Sequence, residues 1–302
     1  MVDYPGKRVS VIIVTCGAGS YLSDCLRSVH SQTFKPFQTL IIDNSAGFSL
    51  QHKLLKKFPE VNITRLENNS SYAVSLNTGI SLTQGEFVLC LNDDVVLHKE
   101  FIKEALSGFF DKSIGIVSGK ILRYGGKIID STGLLLSVFR TPKERGYGKE
   151  DKGQFAQEGF VFGVSGCVAF YRREMLEKIS DRYGYFDSRF LMFYEDLDLS
   201  WRANRKGWKA YYIPGAIAYH ARGGSFRPQK GMNKGFARRY LNDMLLASLL
   251  RNRYLTILKN ESLTSFLIHF LPVILYEFVS LTHLLLLRPK AVKFLFGGKL
   301  YP

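Results

Sequence analysis

The chain has 302 residues, 46% of them hydrophobic, enough for one large core or a core with an appended module. Its formal net charge is +15, and the excess lies late: residues 1–201 hold 24 basic and 23 acidic side chains, residues 202–302 hold 17 and 3. Four cysteines (Cys16, Cys25, Cys90 and Cys167) show neither a C-x-x-C pair nor zinc spacing, which argues against a zinc module and for free thiols in a reducing compartment.

The N-terminus passes directly into a strand with no signal-peptide apolar region, so a cytoplasmic location is expected. Val9–Thr15 is a β-branched apolar run and predicts a buried strand. A helix over 21–32 follows from the spacing of Leu22, Cys25, Leu26 and Val29. Gln38–Asp43 predicts a second strand, 50–58 a second helix, 61–66 a third strand, 71–84 a helix and 87–91 a fourth strand. Strands alternating with helices in this way indicate βαβ units and a parallel sheet.

Beyond residue 98 the pattern loosens. A helix is expected over 99–110, a strand over 114–121, a mobile loop over 140–157, one strand over 160–171 and the start of a helix at Arg173–Ile179. A helix over 195–207 should stop at Gly207, and two short strands, 209–213 and 216–220, should flank Pro214-Gly215. There is no internal repeat. The domain division expected is a catalytic unit over 1–235 (a nucleotide-binding half about 1–98, an acceptor half about 99–235) and a basic, apolar helical region over 236–302.

Leu263–Leu287 runs for 25 residues without Lys, Arg or Asp, long enough to span a bilayer. At ~100° per residue, however, Ser265, His269, Tyr276, Ser280 and His283 form one polar stripe, which predicts a helix lying in the interface or packed on protein. A basic block can meet nucleic acid, anionic lipid or a phosphorylated substrate. The apolar run inside the same block favours an anionic membrane surface and no nucleic acid. The 14% aromatic content, with 23 Phe and 16 Tyr, suits sugar stacking, a membrane-facing surface or a Phe-rich core.

Three constellations carry chemistry. Asn92-Asp93-Asp94 follows the fourth strand, where ligands bind in open α/β sheets. Its paired carboxylates suit Mg²⁺ or Mn²⁺ bridging to a diphosphate, or the cap of a following helix. Glu195, Asp196 and Asp198 open a helix, either as complements to its dipole or with one serving as a general base. Asp196 and Asp198 fall on different faces, which predicts different tasks for them. His220 at a strand end, before Arg222-Gly223-Gly224, is either structural or a ligand of the same metal, with Arg222 and the glycine N–H groups facing a diphosphate. Thr15, Asp43-Asn44-Ser45 and the stretch from Asn68 to Asn77 close strands one to three and would line one crevice for a nucleotide.

Read together, Thr15, Ile-Ile-Asp43-Asn44-Ser45, Glu67-Asn68-Asn69 with Asn77-Thr78-Gly79, Leu-Asn92-Asp93-Asp94, Ser165-Gly166, Tyr194-Glu195-Asp196-Leu-Asp198 with Gly207-Trp208, and His220 before Gly223-Gly224-Ser225 resemble glycosyltransferase family 2. The likeness covers roughly 7–260 and is greatest to the rhamnosyltransferase-like branch. It implies a GT-A fold, a Rossmann-like mixed sheet flanked by helices, and inverting transfer from a nucleotide sugar, dTDP- or UDP-linked, with dTDP-β-L-rhamnose as the expected donor. The acceptor implied is a glycan or lipid-linked glycan at the inner face of the plasma membrane. By the same resemblance Asp43 would hold the pyrimidine, and Asn92 and Asp93 would face the donor. Asp94 and His220 would face the metal, and Asp196 would be the base with Glu195 beside it. Ser165, Gly166 and Trp208 are expected at the acceptor or sugar. Asn92 stands where the strict motif has its first acid, and Ser165-Gly166 where Gly-Ala is more usual.

Two other classes compete. A dinucleotide oxidoreductase would use Gly17-Ala18-Gly19, but this turn lacks the third glycine and leaves both acid pairs unexplained. A non-catalytic carbohydrate- or lipid-binding protein on the same fold would not need those acids.

Overall fold

The computed structural model describes residues 6–17, 21–45, 56–67, 70–222 and 241–296. In chain order it gives β1 (Val9–Thr15), α1 (Tyr21–His30), β2 (Gln38–Asp43), β3 (Asn62–Arg65), α2 (Tyr72–Ser81), β4 (Phe87–Asn92), β5 (Val95–Leu97) and α3 (Phe101–Ser107). Next come β6 (Ile114–Arg123), β7 (Ile129–Ser131), β8 (Leu134–Leu136), β9 (Pro142–Glu144), β10 (Gly159–Val161), β11 (Val168–Arg172) and α4 (Arg173–Ile179). The chain closes with α5 (Glu195–Arg205), β12 (Lys209–His220), α6 (Asp243–Asn260), α7 (Leu263–Leu287) and α8 (Pro289–Phe296). Most of the helix expected over 50–58 lies outside the described residues.

The main sheet runs β10-β12-β6-β11-β4-β1-β2-β3. β3, β2, β1 and β4 are parallel, the doubly wound order expected of the nucleotide-binding half. β11 runs antiparallel between β4 and β6, which makes the sheet mixed. The alternation of strand side chains fills both faces. Val9, Val11 and Ile13 pack with Leu22, Cys25 and Leu26 of α1, whereas Ile12 and Val14 pack with Leu76 and Ile80 of α2. A Cβ at Gly79 would meet Ile12 Cγ2 at 2.5 Å, so this glycine lets α2 lie close on β1.

Four expectations change. Residues 140–157 are not a loose loop: β9 pairs with β8, and Asp151 bridges to Lys120 at 3.0 Å. The strand expected over 160–171 is two strands in different parts of the sheet, β10 beside β12 and β11 beside β4, with the break at Ser165-Gly166. Residues 209–220 form one strand rather than two, because a bulge between Ile213 and Ile217 absorbs Pro214. Asp93-Asp94 caps no helix but turns β4 into β5, and α3 begins only at Phe101. The helix stop at Gly207 is as expected, with φ +85° just beyond α5.

The C-terminal helices dock on this layer structure through polar groups. In α7 the stripe faces protein: Arg140 donates to Ser265 Oγ at 2.6 Å and meets His269 Nδ1 at 2.8 Å, Tyr276 stacks on Phe139, and Ser280 is buried. The opposite side is apolar and open, with Leu267, Leu271 and Phe278 each about two-thirds or more exposed (65%, 76% and 68%). Arg253 of α6 is fully buried, donating to Glu277 of α7 and to the Phe139 carbonyl at 2.7 Å.

Removing one member of a buried pair leaves the other charge uncompensated, at a cost of about 3–5 kcal/mol. Glu277→Ala should therefore lower the melting temperature of the full chain clearly, and Glu277→Gln by less. Glu174→Ala, at an exposed pair with Lys178, should leave it unchanged. Coincident melting of Glu277→Ala and wild type would show that this pair does not hold α7.

Candidate active site

The carboxyl ends of β1, β2 and β4 converge at the point where the strand order reverses between β1 and β4. Thr15 ends β1 and donates from Oγ1 to Asp93 Oδ2 at 2.5 Å, while its Oγ1 accepts from Gly17 N–H at 3.1 Å. Asp43 ends β2, buried, and accepts from the Ser45 N–H and hydroxyl at 3.0 and 2.6 Å. Asn44 grips Ser70 by both backbone groups, at 2.7 and 2.8 Å, tying the entrance of α2 to β2. Asn92 closes β4, with its backbone N–H on the Cys167 carbonyl at 3.0 Å. Burial and the neighbouring Asp94 push the Asp93 carboxyl upward against the Thr15 hydrogen bond.

β12 delivers His220 to the same place. Its Nε2 lies 3.2 Å from Asp94 Oδ1, and its Nδ1 lies 2.8 Å from Asp130 Oδ2. Asp130, at the middle of β7, also accepts from Arg222 Nε at 2.5 Å and from Arg123 Nε at 3.4 Å. Burial would raise the Asp130 carboxyl, but its bonds to His220 and Arg222 hold it down at about 2. An imidazole whose Nδ1–H is given to Asp130 turns an Nε2 lone pair toward a carboxylate oxygen. That contact needs a positive charge between the two atoms, a proton or a cation. Two ligands at right angles on an ion with ~2.1 Å bonds stand about 3 Å apart, so His220 Nε2 and Asp94 Oδ1 fit as neighbouring ligands of Mg²⁺ or Mn²⁺, with Asp130 orienting the ring. The Cys167 thiol, Asp130 and His220 lie within 4.8 Å of one another, a proximity that the sequence spacing of these residues does not reveal.

The base candidate comes from α5. Asp196 Oδ2 accepts from Gly166 N–H at 2.9 Å and Oδ1 from its own helix's Leu197 N–H at 2.7 Å. The Gly166 carbonyl is in turn held by the Tyr72 hydroxyl at 3.0 Å. Burial raises the Asp196 carboxyl, and burial with the adjacent Asp196 raises Glu195 to about 8. Glu195 Oε2 is buried with no hydrogen-bond partner. The proton near neutrality therefore belongs on Glu195, and Asp196, with two N–H donors, is the carboxylate. Asp198 does different work, as its face predicts: it binds Arg202 at 2.8 Å, Lys259 at 3.0 Å and Asn260 at 2.9 Å.

The backbone entering α5 is strained. Phe193 and Tyr194 both have φ +73°, a left-handed region costly for bulky side chains. Asn252 of α6 holds them there, donating to the carbonyls of Met192 and Phe193 at 2.9 and 3.0 Å. Helix α6 thus fixes the turn that leads into the candidate base.

Two expected site residues stand elsewhere, and a third is in the site but turned onto protein. Trp208 precedes β12 and packs beside Gly115, whereas His220 ends that strand twelve residues on, roughly 40 Å of chain at ~3.3 Å per residue; Trp208 is outside the site because the strand carries the two ends apart. Asn77 uses its amide on the Phe186 backbone at 2.7 and 2.8 Å, a brace between α2 and the 183–186 turn rather than a nucleotide contact. Arg222 is turned onto Asp130, so its Nε faces protein. Asn68, Gly223 and Gly224 lie outside the described residues. Conversely, Asp130, Glu144 and Asn252 were not singled out from sequence. Ile128-Ile129-Asp130-Ser131 repeats the pattern of Ile41-Ile42-Asp43-Asn44, an apolar pair closed by an acid, and that likeness points to Asp130.

The sequence profile described as "Glycosyl transferase family 2" matches residues 10–180. An N-acetylglucosaminyltransferase of Bradyrhizobium diazoefficiens is 24% identical over 233 residues, 75% of this chain and 47% of that one. An N-acetylglucosaminyl-diphospho-decaprenol L-rhamnosyltransferase of Mycobacterium tuberculosis is 24% identical over 235 residues, 70% of this chain and 75% of that one. The chain thus spans about half the length of the first of these relatives and three quarters of the second. Among solved structures, a mannosyltransferase from Pyrobaculum calidifontis in complex with GDP-Man and Mn²⁺ superposes with a TM-score of 0.56 at 16% identity, covering 96% of this chain and 73% of that one. S. aureus TarS with UDP-GlcNAc gives 0.56 at 18% identity, covering 84% and 68%. The fold is the GT-A type that the sequence motifs imply. With its family profile matched over more than half its length, on the fold that profile calls for, this chain belongs to glycosyl transferase family 2.

Proposed function

We propose that this chain transfers a sugar from a nucleoside diphosphate to an acceptor hydroxyl, with inversion and with a divalent metal. The observation that carries this reading is the placement of an oriented carboxylate, Asp196, at the same sheet ends as the Asp94–His220 pair. The donor's pyrimidine would lie at Asp43, with Thr15, Asn92 and Asp93 lining its path toward Asp94. Bound at Asp94 and His220, Mg²⁺ or Mn²⁺ would neutralise charge on the diphosphate as it leaves. Asp196 would take the acceptor's hydroxyl proton while its oxygen bonds to the anomeric carbon and the carbon–diphosphate bond breaks. The Gly166 and Leu197 N–H groups, one on each carboxylate oxygen, would fix the orientation in which a remaining lone pair takes that proton, and Ser165 precedes Gly166 in the same turn.

The rhamnosyltransferase among the relatives supports dTDP-β-L-rhamnose as donor and a glycan, free or lipid-linked, as acceptor. The N-acetylglucosaminyltransferases support UDP-linked N-acetylglucosamine instead, so a donor screen reading released dTDP or UDP decides between them. The open apolar side of α7 and the positive charge of residues 202–302 support peripheral binding to an anionic membrane at the cytoplasmic face, where a lipid-linked acceptor would be met.

Asp196→Asn should lower turnover on the order of 10²–10⁴-fold and leave nucleotide binding near wild type. Retention of more than about a tenth of the activity would move the base to Glu195. Asp94→Ala and His220→Ala should each weaken nucleoside-diphosphate binding in Mn²⁺ but not in EDTA. Asp130→Asn should weaken metal affinity on the order of 10–100-fold through the ring it orients. Full activity in excess EDTA would sink the metal assignment. In flotation, the full chain should rise with vesicles rich in anionic lipid at low salt, more than with neutral ones, and separate from the anionic ones as salt increases. A chain that ignores both would leave α7 as a protein contact.

A further inference from the structure

One carboxyl group enclosed in this site has no task in the reaction above. Glu144 closes β9 and accepts from Ser131 Oγ of β7. The Ser165 hydroxyl faces the same carboxyl as a second donor and acts to hold its pKa down. Ser165 opens the turn whose next residue, Gly166, donates its N–H to Asp196 at 2.9 Å. A continuous path therefore runs from β7 through Glu144 to the turn and then to the base. We propose that Glu144 is a positioning residue of the transfer reaction, the group that ties Ser131 to Ser165 and so fixes the turn orienting Asp196. The proposal rests on Asp196 being the base.

The surroundings say in which form Glu144 does this. Burial, with the charges of Asp196 and Asp130, pushes its carboxyl to about 8 against the hydroxyl bonds of Ser131 and Ser165. The groups facing it are Ser131 and Asp130 of β7, Ser165 of the turn and Asp196 of α5. The adjacent Arg145 lies over the rings of Phe155 and Tyr212. Asp130 already shares its charge with His220 and Arg222. At neutral pH Glu144 is therefore a neutral acid facing two hydroxyl donors, a shape and charge that an amide reproduces. As pH rises through its pKa, a second negative charge appears beside Asp196. Activity should fall on that alkaline limb.

The test uses the full chain with whichever of dTDP-β-L-rhamnose or UDP-N-acetylglucosamine the donor screen selects. It compares Glu144→Ala, Glu144→Gln and Asp196→Asn. Glu144→Ala should lower kcat on the order of 10–100-fold with the donor KM within about twofold. Glu144→Gln should stay within about threefold of wild type at pH 7 and decline less than wild type at pH 9, the remaining fall coming from Glu195, which titrates in the same range beside Asp196. A residue holding only the fold would not shift that limb. Glu144→Ala retaining most of its kcat, or Glu144→Gln sharing the wild-type alkaline limb, overturns the proposal. If Glu144→Ala loses its cooperative melting, the pH profile of Glu144→Gln decides alone. An active Asp196→Asn refutes the base itself, whereas an inactive one beside wild-type-like Glu144 variants refutes only the role of Glu144.

Discussion

Gathering negative charge is the constraint on which the site depends. Asp93, Asp94, Asp130, Glu144, Glu195 and Asp196 arrive from β4, β7, β9 and α5 at one end of one sheet. Carboxylates so grouped repel one another unless protons, cations or N–H groups divide them. The protein uses all three. Arg123, Arg222 and His220 surround Asp130, backbone N–H groups serve Asp196, and burial leaves protons on Glu144 and Glu195 near neutrality. The Asp93–Asp94 turn, with Thr15 on one side and His220 on the other, is the place proposed for a metal ion and a diphosphate.

The sheet makes that division possible. Parallel β1, β2 and β4 present Thr15, Asp43 and Asn92 on the nucleotide side, and the antiparallel insertion of β11 brings the Ser165–Cys167 turn up beside β4. A purely parallel sheet would have placed that turn at the other end. The insertion thus brings the Gly166 N–H that holds Asp196 to the sheet end where Asp94 and His220 meet.

Much of this was legible in sequence, and the reason is local. Strands β1, β2 and β4 are buried on both faces, so their β-branched runs stand out, and the acids that follow mark their carboxyl ends. The polar stripe of α7 announced the side that meets protein. What could not be read depends on pairing partners distant in sequence. Asp130 gains meaning only when β12 brings His220 ninety residues later to within 2.8 Å. Glu144 sat in a Gly- and charge-rich stretch that reads as loop until β8 pairs with β9. Trp208 followed a helix stop convincingly but stood at the wrong end of β12, a fact set by the direction of the strand rather than by its composition. Asn77, in a motif read as nucleotide-facing, turned out to spend its amide on a backbone more than one hundred residues away.

The left-handed pair at Phe193 and Tyr194 has a bearing on the order in which the molecule matures. Two bulky residues will not rest there unaided, and the amide that holds them belongs to Asn252, nearly sixty residues downstream. Lys259 and Asn260 then fasten Asp198 from later still. During synthesis the nucleotide side can close on itself as soon as β4 and β11 have emerged, while the loop leading to Asp196 stays free to relax. The base is set only when α6 has been made and has docked. On the proposed assignment of Asp196, a growing chain would complete its donor-facing strands before its base, and transfer would wait on the docking of α6.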